Sequence, residues 1–292
     1  MSVCRCLGIV AIILMVVSST FAADVTATNI LNGKDLHGRV QREGKAKHVA
    51  GVNEIVGVSV LNTLTEEEKK EGWRLLWDGR TTDGWRSAKG ESFPAKGWEI
   101  KDGTLTVLAG AGAESAAGGD IITKERFSEF ELIADFMITA GANSGIKYFV
   151  QPGLNAITGS GAKAVTGSAI GLEFQILDDQ RHPDAKAGRD GNRTVASLYD
   201  LIPAVAAKQP RPIGEWNTAR IVVKGSHVEH WLNGGKVVEY ERGSVAFRDV
   251  VRQSKYKQID GFGEWSDGHI LLQDHGNRVS FRNLKIRTPA AK

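Results

Sequence analysis

The sequence predicts an all-β fold, an antiparallel sandwich or jelly roll, and three observations carry that expectation. Short stretches of alternating polar and apolar residues recur from Trp73 to near the C-terminus. Turn signals built from Gly, Asn and Asp separate them. Hardly any segment shows the longer period of an amphipathic helix, which leaves sheet packed on sheet as the way to bury these faces.

The elements follow in order. Residues 1–22 carry Arg5, an apolar run from Leu7 to Val17, and the close Ser18-Ser19-Thr20-Phe21-Ala22. This is the layout of a secretory signal peptide, and the apolar run falls short of the roughly 20 residues of a spanning helix. The expectation is a secreted or periplasmic protein with no membrane span after signal cleavage. Cys4 and Cys6, the two cysteines, both lie in this leader, so the exported chain offers no thiol to a disulfide or a metal. Removal of Arg5 leaves 36 basic against 34 acidic residues, and no basic stripe is interleaved with aromatics, so no nucleic acid partner is expected.

Residues 23–61 are polar and without period, and read as an N-terminal extension or linker. Thr65 followed by Glu68 is a capping box, and Gly72 a stop, for one short helix. The main domain is expected over 62–289. Trp98–Val107 reads as a hairpin around Asp102-Gly103. Asp78-Gly79 and Asp83-Gly84 read as turns beside core tryptophans. Strands are expected at Phe130–Ile138, Gly145–Val150, Gly171–Asp179, Ala219–Lys224, His227–Leu232, Lys236–Tyr240, Gly268–Gly276 and Val279–Ile286. The stretches Ala109–Gly119 and Gly153–Gly171, dense in Gly, Ala and Ser, read as loops able to cover a cleft.

Alternation also proposes a working surface. Leu172, Phe174 and Ile176 point one way, and Glu173 and Gln175 the other. The same reasoning puts Lys147, Phe149, Glu229, Trp231, Gln273 and His275 on one concave, sugar-binding face. His182, His230, His269 and His275, with Asp178, Asp184 and Asp274 nearby, are the residue types of an acid/base set or a divalent metal site, although their spacing matches no metal signature. A retaining glycosidase needs two carboxylates roughly 5 Å apart. Two residues after Glu173 stands Gln175, so that pair is missing from this strand.

Several segments, in order, carry a resemblance: Trp73–Gly79 with Asp83-Gly84-Trp85, Asn143-Ser144-Gly145-Ile146, Gly171–Asp179, Ser197-Leu198-Tyr199-Asp200, Gly214-Glu215-Trp216-Asn217, Val228–Gly234, and Leu272–Gly276 with Phe281-Arg282-Asn283. From about Asn62 to Arg287 the chain resembles the 3-keto-disaccharide hydrolase family, long catalogued as a domain of unknown function. The resemblance implies a concanavalin A-like antiparallel β-sandwich (jelly roll), here with one short N-terminal helix, and a carbohydrate substrate oxidised at sugar carbon 3. Such a ketone acidifies the carbon-2 proton, so cleavage proceeds by proton removal and expulsion of the carbon-1 substituent, with or without water re-addition. Side-chain chemistry then makes Glu173 or His275 the base and His182 the acid, with Lys147, Gln175 and Gln273, or a divalent metal, at the enolate oxygen. Trp231 would stack on a sugar, and Arg220 or Arg282 would clamp hydroxyls. The alternative from another class is a non-catalytic, lectin-like sugar-binding module.

Overall fold

The computed structural model describes residues 60–110, 115, 117–154, 156–157, 164–165 and 168–289. The leader, most of the expected extension and parts of both small-residue loops lie outside these residues. Helix α1 (Glu66–Lys70) opens with the expected capping box: the Thr65 side chain accepts from the Glu68 amide and Glu68 accepts from the Thr65 amide. Glu68 also holds Lys285, which ties the helix to the last strand.

Strands follow as β1 (Arg74–Leu75), β2 (Trp85–Ser87), β3 (Trp98–Lys101), β4 (Thr104–Val107), β5 (Ile121–Thr123), β6 (Phe130–Ile138), β7 (Asn143–Gln151), β8 (Ala156–Ile157), β9 (Ala164–Val165) and β10 (Ile170–Leu177). After a 3-10 turn at Pro183–Lys186 come β11 (Asn217–Lys224), β12 (His227–Leu232), β13 (Gly235–Glu241), helix α2 (Val245–Arg252), β14 (His269–Leu272) and β15 (Val279–Arg287). Eight strands form one antiparallel sheet, ordered β13-β12-β11-β6-β15-β4-β3, with β1 beside the end of β15. Five form the other, ordered β10-β7-β14-β5-β2. The expected hairpin closes on Asp102 and Gly103, both at positive φ, as a tight two-residue turn requires.

Inward side chains of the two sheets, among them Trp77, Trp85, Phe136, Tyr148, Phe174 and Phe281, make one core. Each such side chain stabilises the fold by about 1.5–3 kcal/mol. Two features depart from the expected strands. A second helix, α2, adds to the one expected; Ser244 caps it, and Phe247 with Val250 and Val251 forms the i, i+3, i+4 stripe it lays on the core. At Phe149 the chain turns to φ +53 and β7 gains a residue against both neighbours, a β-bulge. The bulge sends Phe149 into the core beside Tyr148, so the expectation that Phe149 shares a face with Lys147 is corrected.

His230 lies wholly inside, where it links the sheets. Its Nδ1 lies 3.0 Å from the Ala196 carbonyl, which can only accept, so Nδ1 carries the proton and Nε2 accepts from the Tyr148 hydroxyl at 2.8 Å. Tyr240 completes the column by donating to Tyr148. Burial pushes the His230 pKa down to about 4. The unfolded chain therefore binds a proton here that the folded one refuses between pH 6.5 and 4. Stability is full above that window and falls through it, by roughly 3 kcal/mol at its lower end. The expected result in a titration followed by NMR is an imidazole that stays neutral down to about pH 5. A midpoint near 6.5 would contradict the buried column.

Candidate functional site

The five-stranded sheet turns one face to the core and the other to a narrow pocket of about 40 Å³. Leu172, Phe174 and Ile176 of β10 go inward, so Glu173 and Gln175 go to the pocket. Register then sets their neighbours: Lys147 of β7 lies directly opposite Glu173, and Gly145 opposite Gln175. The Gln273 amide donates to the Gly145 carbonyl just past β14, and His275 follows on the turn. Glu173, Lys147, Gln175, Gln273 and His275, five residues the sequence proposed, thus line one pocket.

Each is held by its surroundings. Gly145 leaves the space that the Glu173 side chain fills: an added Cβ would come within 2.8 Å of the Glu173 carboxyl carbon and 3.0 Å of its Cγ. The Lys147 ammonium, buried with its strand, donates to the Ser168 hydroxyl and the Ala169 carbonyl and lies 3.9 Å from Asp120. Ser168 in turn donates to Asp120. Asp274 is wholly buried and works as an anchor: its Oδ2 accepts from the amides of Ala117, Gly118 and Gly119 and its Oδ1 from Gly276. This carboxylate in a nest of backbone amides clamps the small-residue loop and the turn that presents His275.

Gln175 donates its side-chain amide to the Arg193 carbonyl, which leaves its Oε1 facing the pocket. Among the described residues, Gln175 Oε1, Gln273 Oε1 and Asn143 Oδ1 are buried acceptors without a hydrogen bond, and all three residues line this pocket. Buried acceptors of this kind call for donors from a ligand, and sugar hydroxyls supply them. At Gln175 one amide hydrogen is engaged by the Arg193 carbonyl and the oxygen has no partner. With the His275 imidazole, the same oxygens are the hard donors that would hold a divalent cation.

Other proposed residues lie elsewhere. His182 is outside the pocket wall, with its ring edge-on to His275 at 6.0 Å. Its Nδ1 accepts the Asp184 amide as a helix cap, and partial burial lowers its pKa, so it is neutral at pH 7 with the proton on Nε2. Trp231, Glu229, Arg220 and Arg282 belong to the eight-stranded sheet and face away from the core, which corrects the expectation that Trp231 and Glu229 share the concave face and sets the two arginines apart from the pocket. There Arg220 stacks on Trp231 and pairs with Glu131, while Arg282 stacks on Trp216 and bonds Asp135. His269 is buried at the start of β14, away from the pocket, with Nδ1 on the Thr123 carbonyl. Asp178 takes backbone amides and Arg181, which hold its carboxyl below the usual range despite burial.

One trio with metal-ligand proximity occurs among the described residues, His227, Glu229 and Glu239 on the outer sheet. Lys236 already pairs with both glutamates, and Glu241 with His227. Asn143, Tyr199, Lys255 and Tyr256 complete the pocket and were missed. Extending the Gly145, Lys147 alternation back by one step finds Asn143. Tyr199 arrives because the 196–199 segment bonds along the edge of β10, and its hydroxyl donates to Asp184. Lys255 and Tyr256, after α2, carry no local sequence signal.

The arrangement matches known proteins. The model of the 3-keto-alpha-glucoside-1,2-lyase-like domain fits residues 72–287. A 3-keto-disaccharide hydrolase of Bacteroides thetaiotaomicron is 34% identical over 270 residues, covering 88% of this chain and 92% of the relative. A crystal structure from Parabacteroides distasonis, described as a glycosyl hydrolase, is 31% identical with a TM-score of 0.64, covering 78% of this chain and 99% of the other.

Proposed function

The chain belongs to the 3-keto-alpha-glucoside-1,2-lyase-like family, and from that premise we propose that it cleaves glycosides oxidised at sugar carbon 3 by taking the carbon-2 proton. The observation that carries this reading is the single carboxylate. Among the described residues lining the pocket, Glu173 is the one carboxylate, and it faces a lysine and a histidine. Double displacement needs two carboxylates, one as nucleophile and one as acid. A ketone removes that need, because the carbon-2 proton becomes acidic enough for a positioned base.

In this reading Glu173 accepts the carbon-2 proton, and the electron pair moves to the ketone oxygen. Lys147, opposite Glu173 on β7, meets that developing oxyanion in a site sheltered from water, where a charge is worth most. Return of the electrons expels the carbon-1 oxygen, which takes a proton from His275. His275 replaces His182 as the acid because it lines the pocket, and the neutral ring of His182 backs it edge-on. Water then adds at carbon 1 as protonated Glu173 returns a proton to carbon 2, or the unsaturated keto sugar leaves and Glu173 gives its proton to solvent. Asn143, Gln175 and Gln273 accept sugar hydroxyls. A divalent cation held by His275 and those amide oxygens would supply polarisation of the ketone. The leader, with Arg5 and its apolar run, supports action outside the cytoplasm.

The test is turnover of one disaccharide in its 3-keto and unoxidised forms. The expected result is cleavage of the keto form alone. Cleavage of the unoxidised form would overturn the mechanism, and binding of either without turnover would support a sugar-binding module.

A further inference from the structure

Beside the narrow pocket lies a second cavity of about 370 Å³, and Lys255 belongs to the walls of both. Four cations line it: Arg189, Arg193, Lys255 and Lys257. Arg193 is already spent, bonded to Asp184 at 2.9 Å and Asp200 at 2.7 Å. Both acids are occupied further, Asp184 by the Tyr199 hydroxyl and Asp200 by the Lys255 amide. Arg189 and Lys257 therefore set the character of this cavity, with Lys255 at its border. Arg189 and Lys257 are exposed and form no ion pair among the described residues. The Gln253 side-chain oxygen accepts from Arg189 and orients its guanidinium. The Lys255 ammonium rests over the ring of Tyr199, a wall of the narrow pocket, at 4.4 Å, and Lys255 lines both cavities.

A substrate whose oxidised ring reacts at Glu173 fills the narrow pocket, so the group on carbon 1 must extend out of it. We propose that this second cavity is an anion subsite, and that the protein prefers 3-keto glycosides whose leaving group carries a carboxylate. The planar Arg189 fork matches a carboxylate in two parallel bonds, with Lys257 and Lys255 adding charge at either side. The assignment rests on the reading of the narrow pocket as the seat of the oxidised ring.

The experiment compares two matched aryl glucosides, one bearing a 4-carboxylate and the other the neutral 4-carboxamide, each in 3-keto and unoxidised form. Calorimetry on the unoxidised pair is expected to show the carboxylate bound about tenfold more tightly, which is the scale of two partly exposed charge contacts. The preference should shrink in high salt and vanish in the doubly substituted Arg189→Gln, Lys257→Ala protein, with binding of the carboxamide unchanged. On the keto pair the same preference is expected in KM. Equal binding of both aglycones, or an equal loss for both in the double variant, would overturn the subsite. A carboxylate preference in binding with no turnover of either keto glycoside would leave the subsite standing and remove the proposed reaction.

Discussion

Glu173→Gln is expected to lower turnover of a 3-keto glycoside by about 10³-fold or more, the upper part of what a positioned general base contributes. The substitution keeps shape and removes only the basic oxygen. Glu173 is 4% exposed, on a strand flanked by β7 and the 196–199 segment, so the protein is expected to stay folded and to keep its affinity for sugar. Gly145→Ala provides an independent check on the same carboxylate. The new methyl would occupy the space of the Glu173 side chain, although the Gly145 backbone, outside the left-handed region, accepts alanine. Turnover is expected to fall by about 10²-fold from a displacement of an ångström or so, with the melting temperature nearly unchanged. Steady-state kinetics beside thermal melts reads both variants. Full activity in Glu173→Gln would remove the base from the mechanism.

Asp274→Ala is expected to be the most damaging substitution to stability among the pocket's supports. It would strip acceptors from four amides, those of Gly119 and Gly276 buried and those of Ala117 and Gly118 partly so. Buried donors left unsatisfied cost about 1–3 kcal/mol each, and partial collapse of the loop recovers some of it, so a loss of about 4 kcal/mol follows. Activity should fall as well, because the released turn carries His275. Asp274→Asn, which keeps one acceptor oxygen, should lie between the two. Urea unfolding midpoints measure the effect, and a loss under about 1 kcal/mol would show that the amide nest does not hold this end of the molecule.

Much of this was legible in the sequence because a strand has a period of two. Glu173, Gln175, Lys147 and Gln273 were found by alternation alone, and the structure brings them to one pocket. Alternation fails where the period breaks. The bulge at Phe149 turned one expected surface residue inward. It also says which face of a strand a residue takes, but not which sheet the strand joins. Trp231, Arg220 and Arg282 point outward as alternation requires, yet on the opposite side of the sandwich. Lys255 and Tyr256 reach the pocket only through long-range packing, with Lys255 bonded to Asp200 and Tyr256 stacked on Phe262 at 4.0 Å. Asp274, proposed as an acid or ligand from its place beside His275, proves to be an anchor for backbone amides.

Cleavage by this route takes the carbon-2 hydrogen off the substrate. The direct measurement is a single turnover of a 3-keto glycoside deuterated at carbon 2, in ordinary water, with the sugar product read by mass spectrometry and NMR at once. Loss of the label from carbon 2, whether the product is hydrated or unsaturated, is the predicted result. Full retention of deuterium, with no primary isotope effect on the rate of cleavage, would contradict it.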